Sequence, residues 1–190
     1  MHVHLIGVSG TAMGSLAGLL KRAGHRVTGS DTAFYPPMGD ALARWGIETM
    51  QGFEPAHLEP APDLGAEGRR GGPGSWHARR ARGRPHHYTT KPKALAQFCL
   101  AERRSFVVAG THGKTTTTAL CAHLLDQVGL APGFLIGGIP LGFSESFRLA
   151  QPGAPFVIEG DEYDSAFFEK TPKFWHYQPE VAILQAIDYD

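Results

Sequence analysis

The chain has 190 residues, 42% of them hydrophobic, and its 18 Lys and Arg balance 18 Asp and Glu to a formal net charge of zero. That apolar content can bury a core in one large or two modest domains. A neutral chain has no global field drawing it to nucleic acid or to an anionic membrane, and no apolar run approaches bilayer length.

Cys99 and Cys121 are the only cysteines, and neither has a second thiol or a histidine at metal-ligand spacing, so both read as buried, reduced thiols. The start, Met1-His-Val-His-Leu-Ile-Gly7, has no basic region followed by a long apolar core. The expected compartment is the cytoplasm.

His2 to Val8 predicts a strand that runs into Gly7-Val-Ser-Gly10-Thr-Ala-Met-Gly14 and then a helix patterned on Leu16, Leu19, Leu20 and Ala23,. Gly24 caps that helix, His25 to Gly29 forms a second strand, and Asp31 stands at its end. This is a β-α-β unit of Rossmann type. Its glycines at 7, 10 and 14 depart from the usual dinucleotide spacing, so a plain strand-to-helix turn is the competing reading. An acid after the second strand favours the ligand, because a carboxylate there can accept both ribose hydroxyls. Pro36-Pro37 breaks the chain, a helix from Met38 to Trp45 follows, and Glu48 to Met50 is a short strand.

Where the alternation calls for another buried strand, residues 65–90 carry six arginines, six glycines, a single acid and no Val, Ile, Leu, Met or Phe. Such a stretch cannot offset the entropy of ordering a core element, so the expectation is disorder. Loss and recovery of pattern at preserved length is what a compensated pair of frameshifts in GC-rich DNA writes, a hypothesis that resequencing the gene tests. Arg69 to Arg84, with Trp76 interleaved, also admits an RNA-contact reading that the neutral remainder of the chain does not favour. Nucleic acid is not an expected partner.

Pattern resumes with a helix from Lys93 to Leu100 and a strand from Phe106 to Ala109, which empties into Gly110-Thr-His-Gly113-Lys114-Thr115-Thr116-Thr117. Glycines let successive backbone N–H groups converge on phosphate oxygens, a lysine adds positive charge, and a threonine hydroxyl can complete a magnesium shell. The predicted helix, Thr116 to Val128, points its N-terminus at the same phosphates. The common phosphate-loop spacing wants glycine where Val108 stands, so this is a short variant. Gly110, Thr111, His112, Gly113, Lys114, Thr115 and Thr116 are the candidate ATP contacts, with His112 either touching phosphate or shaping the turn. Downstream, a strand from Pro155 to Ile158 delivers Glu159, Asp161, Glu162 and Asp164. Glu159 directly follows the apolar run and is the preferred partner of Thr115 on magnesium, with Glu162 the second choice. Val181 to Leu184 reads as a further strand.

Gly7 to Gly14, Thr28 to Asp31, Tyr35-Pro-Pro-Met38, Ala109 to Thr117, Ile158 to Asp164 and Lys173-Phe-Trp-His-Tyr177 together resemble the Mur ligase family, over residues 1–64 and 91–190. The resemblance implies an α/β chain: a Rossmann-like UDP-sugar domain over 1–100, then the start of an ATP-binding central domain of phosphate-loop type over 101–190. It implies ATP and Mg²⁺ as cofactors, with Lys114 catalytic and Gly7, Ser9, Gly10, Thr11, Met13, Gly14 and Asp31 on the UDP-sugar. The reaction it implies joins UDP-N-acetylmuramate to the murein tripeptide L-Ala-γ-D-Glu-meso-diaminopimelate through an acyl phosphate. Tyr35-Pro-Pro-Met38 and Asp161-Glu-Tyr-Asp164 favour this peptide-adding branch over the L-alanine-adding one. Because the family's peptide-binding domain follows beyond Asp190, the expectation is that this polypeptide alone does not ligate. A nucleotide-binding module without ligase chemistry is the alternative, and protection by the sugar nucleotide separates the two.

Overall fold

The computed structural model describes residues 1–67, 87–160, 164–166 and 169–187. The chain forms two compact units, Met1–Ala94 with Ala166–Glu169 and Leu95–Ser165 with Lys170–Asp190. Each is built on a five-stranded sheet.

In the first unit, β1 (His2–Ile6), α1 (Thr11–Arg22), β2 (Arg26–Asp31), α2 (Met38–Arg44) and β3 (Glu48–Gln51) alternate as the apolar periodicity predicts. Then come β4 (Leu64–Glu67) and β5 (His87–Thr90), and the sheet order is β3-β2-β1-β4-β5 with every pair parallel. Parallel strands are covered on both faces, which is why Val3, Leu5 and Val8 are completely buried with the α1 stripe Leu16, Leu19 and Leu20. Helix α1 ends at Gly24, whose φ of +83° suits a residue without Cβ,. Gly24 N–H donates to the Lys21 carbonyl and His25 N–H to that of Leu20, closing the last turn,.

The segment expected to hold no core strand is corrected at both ends. Gly65, Ala66 and Glu67 belong to β4, paired from Val3↔Leu64 to Ile6↔Glu67, and β4 pairs in turn with β5 from Leu64↔His87 to Glu67↔Thr90. Ala66 is completely buried and Glu67 is 9% exposed. The neighbouring ladders supply what these side chains lack, since strand formation follows pairing and context more than intrinsic propensity. Residues 68–86, and with them the RNA-contact reading of Arg69 to Arg84, lie outside the described residues.

Helix α3 (Lys91–Leu95) ends the main run of the first unit, and the second unit opens at its last residue, which leads into a wide helical turn, Ala96–Leu100. It continues through β6 (Arg104–Ala109), α4 (Lys114–Gln127), β7 (Gly133–Leu135), β8 (Phe147–Arg148) and β9 (Pro155–Gly160). A two-stranded ribbon of β10 (Asp164–Ala166) and β11 (Glu169–Pro172) follows, its Ala166 and Glu169 grouped with the first unit, and the short α5 (Lys173–His176) and β12 (Val181–Leu184) complete the second. The sheet order is β12-β6-β9-β7-β8, parallel except where β8 runs back along β7. Val108, Ala122, Phe134, Ile136 and Val157 form the buried centre. Strand β6 is thus flanked by β9 and β12, and whatever follows its carboxyl end is bracketed by theirs.

Candidate functional site

Val108 is fully buried inside β6, so the loop begins only at Gly110. That accounts for its short spacing. Gly110 has φ of +134°, and a Cβ there would come within 2.8 Å of Gln185 Cβ and 3.1 Å of the Ala186 carbonyl oxygen. Gly113, at φ +76°, is the N-cap of α4, and the helix starts at Lys114, two residues earlier than its periodicity predicts. No acidic residue occupies its first turn, leaving the amide dipoles open to an anion.

The segment after β12 braces this loop. Thr111 N–H donates to the Ala186 carbonyl at 2.9 Å and Gln185 N–H to that of Ala109 at 2.8 Å. The Gln185 side-chain amide donates to the Thr117 hydroxyl at 2.5 Å, and its Oε1 lies against the α face of Gly113, in the space a Cβ would need. Gln185 carried no motif; its only signal was its place directly after a strand beside the phosphate strand. The Lys114 ammonium folds over the loop and donates to the carbonyls of Gly110 at 2.5 Å and Thr111 at 3.1 Å. His112, Gly113, Thr115 and Thr116 are exposed to solvent, and Thr111 and Lys114 partly so.

Glu159 is the penultimate residue of β9, in register with Val108. Its Oε1 accepts the Gly137 N–H at 2.8 Å, just past the end of β7. A Cβ on Gly137 would lie 3.4 Å from Glu159 Oε1, 3.7 Å from Oε2 and 3.5 Å from Thr115 Oγ1. Thr115 and Glu159, expected together from sequence, therefore converge on one small space that exists because residue 137 is glycine. Hard oxygens of this kind suit magnesium, which keeps most of its shell for water and substrate phosphate. Among the described residues no group of three or more His, Cys, Asp or Glu side chains comes together. Asp161 and Glu162, the latter the second-choice ligand, lie outside the described residues, whereas Asp164 falls in β10.

In the first unit, Gly7 turns the chain at φ +75°, and its N–H donates to the Ser30 carbonyl at 2.8 Å. Gly10 caps α1 without side-chain help. The Asp31 carboxylate organises this turn. Its Oδ2 accepts from Ser9 N–H at 2.9 Å and from the Ser9 hydroxyl at 2.5 Å, while Oδ1 accepts from Thr32 N–H at 2.8 Å and more weakly from the Thr32 hydroxyl at 3.3 Å. At 5% exposure Asp31 is a brace for the turn, a different position from the open ribose acceptor its place in sequence suggests. Gly10 and Thr11 are exposed and Gly7 and Ser9 partly so, but Met13 and Gly14 are buried. Gly14 receives the Met38 side chain where a Cβ would stand. These two pack the helix beneath the turn.

Burial pushes the Cys99 thiol up to about 12 and raises that of Cys121, so neither is a thiolate nucleophile at neutral pH. No helix among the described residues is long and apolar enough to cross a membrane.

The family described as Mur ligase family, catalytic domain, matches residues 2–99. The UDP-N-acetylmuramate–L-alanyl-γ-D-glutamyl-meso-2,6-diaminoheptandioate ligase of Escherichia coli K12 is 44% identical over 190 residues, all of this chain and 41% of that protein. A UDP-N-acetylmuramate–L-alanine ligase of Roseiflexus sp. RS-1 is 39% identical over 191 residues, again across the whole chain and 38% of the relative. These alignments run through residues 65–90, which the motif-based resemblance leaves aside. A crystal structure of the UDP-N-acetylmuramate:L-alanyl-γ-D-glutamyl-meso-diaminopimelate ligase from Neisseria meningitidis superposes with a TM-score of 0.94 at 41% identity, covering all of this chain and 61% of that one. The chain spans about two fifths of the length of the curated relatives it matches. With its paired parallel sheets, phosphate loop and matched first unit, the chain belongs to the Mur ligase family.

Proposed function

We propose that this chain carries the sugar-nucleotide and ATP sites of a ligase that joins UDP-N-acetylmuramate to L-Ala-γ-D-Glu-meso-diaminopimelate. The convergence of Thr115 and Glu159 over Gly137, beside the Lys114 loop, is the observation that carries it. Relatives named for the tripeptide are 44% identical and those named for L-alanine up to 39%, which supports the peptide-adding reading.

A carboxylate at neutral pH is a poor acyl donor, so the muramyl carboxylate must first attack the γ-phosphorus of ATP, expelling ADP and forming an acyl phosphate. The peptide amine then attacks the acyl carbon, phosphate leaves, and the amine proton passes to solvent or a base. Thr115 and Glu159 would hold magnesium, which when bound would supply charge neutralisation on the phosphates. The chain's own part is positional and electrostatic. His112 to Thr116 present backbone N–H groups and the α4 N-terminus to the phosphates, and Lys114 exchanges its carbonyl partners for the transferring phosphoryl oxygens. In the first unit, the Gly7 to Thr11 turn and the α1 N-terminus hold the UDP diphosphate, with Asp31 fixing the turn through Ser9.

Thermal denaturation of the 190-residue chain tests this. UDP-N-acetylmuramate and MgATP each raise the melting temperature, and Glu159→Gln removes the magnesium dependence of the ATP effect while leaving the sugar-nucleotide effect intact. A chain stabilised by MgATP but indifferent to UDP-N-acetylmuramate is a nucleotide-binding module, and the ligase reading is then wrong.

A further inference from the structure

The loop joining β2 to α2 is held at both ends on the first unit's glycine turn. At its start, Asp31 ties Ser9 to Thr32 through both carboxylate oxygens. At its finish, Met38 fills the space over Gly14 of α1, and the Gly39 N–H donates to the Tyr35 carbonyl at 2.9 Å. The Phe34 backbone passes close to Gly39, where a Cβ would lie 3.2 Å from the Phe34 carbonyl carbon. Between these fixed points the Tyr35 residue is 72% exposed, on a backbone followed by two prolines whose φ angles are restricted.

In an open parallel sheet the ligand lies beyond the carboxyl ends of the strands, with phosphates at the glycine turn after the first strand and the nucleoside toward the end of the second. Tyr35 stands four residues past the end of β2, on that nucleoside side. A large aromatic ring kept in water on an immobilised backbone offers apolar contact at small entropic cost. We propose that Tyr35 is a stacking platform for the nucleobase of the bound sugar nucleotide. The inference rests on the sugar-nucleotide reading of this unit and adds to it the residue that grips the base. Stacking tolerates any base, so Tyr35 contributes affinity and leaves the choice of base to other groups.

Calorimetric titration of the 190-residue chain with UDP, together with the ultraviolet difference spectrum of the bound base, tests it. Tyr35→Ala weakens UDP binding by at least about fivefold and removes the hypochromism, Tyr35→Phe retains both, and Tyr35→Leu behaves as the alanine variant does. The unliganded melting temperature stays the same in all three, because the side chain is mostly in water. If the wild type binds UDP and Tyr35→Ala binds it equally well, or Tyr35→Leu restores binding, the stacking role is overturned and the sugar-nucleotide site stands. If the wild type does not bind UDP, both fall together.

Discussion

His4 lies in β1, completely buried, with Nδ1 2.8 Å from the Thr28 hydroxyl and Nε2 2.7 Å from that of Ser30 on β2. The Thr28 hydroxyl also meets His2 Nε2 at 2.9 Å, so its one proton serves one imidazole while its oxygen accepts from the other. Burial, with smaller contributions from His2 and His57, lowers the His4 pKa from 6.5 to about 4. The fold therefore favours the neutral ring. Above pH 6.5 both folded and unfolded chains carry it neutral, and no stability changes hands. As pH falls below 6.5 the unfolded chain takes up a proton that the fold refuses, so stability is lost progressively until pH about 4. The gap between the two pKa values, at about 1.4 kcal/mol per tenfold change in proton affinity, amounts to about 3 kcal/mol. His2, whose pKa is also lowered first by burial, acts in the same direction. Urea unfolding at pH 7.0, 5.5 and 4.5, for the wild type and for His4→Gln, isolates the effect as a difference in pH slope, which does not depend on the absolute cost of the substitution. Parallel slopes, or an NMR titration of His4 in the folded chain with a midpoint near its ordinary value, would refute the reasoning.

Gly137→Ala puts a methyl group at ordinary contact distance from Glu159 and Thr115, so unfolding stability should change by less than about 0.5 kcal/mol. The same methyl occupies the gap between the two oxygens, and MgATP should no longer raise the melting temperature; an undiminished MgATP shift would separate these residues from the metal. Asp31→Ala deprives the Ser9 and Thr32 donors of a charged, mostly buried acceptor and should cost at least about 2 kcal/mol. The expected consequence is a lower urea midpoint together with weaker UDP-N-acetylmuramate binding, and an unchanged midpoint would show that Asp31 does not hold the turn.

Much of the architecture was legible because it is encoded locally. The leucines of α1, the apolar run of β6 and the glycines at 24, 110 and 113 each state their own conformation through period or φ, and the elements form where those signals lie. Strand β4 was not legible, because Gly65, Ala66 and Glu67 have no strand pattern of their own and are held by β1 and β5. The contacts of Asp31 were not legible. Its position after β2 made it a candidate, but only the fold shows both oxygens accepting from Ser9 and Thr32. Gln185 was silent in sequence for the same reason: its importance lies in contacts with residues 68 and more positions away.

By itself the sequence determined the family and the short loop after β6, and it singled out Thr115 and Glu159 as candidates, since these rest on residue type and near-neighbour spacing. Tertiary structure alone decided that Thr115 and Glu159 meet over Gly137, because that meeting depends on the parallel register of β6, β9 and β7. It likewise decided that the acid after β2 serves the turn rather than facing solvent. Side chains far apart in the chain are brought together by sheet order, and sheet order is set by the packing of whole strands and helices.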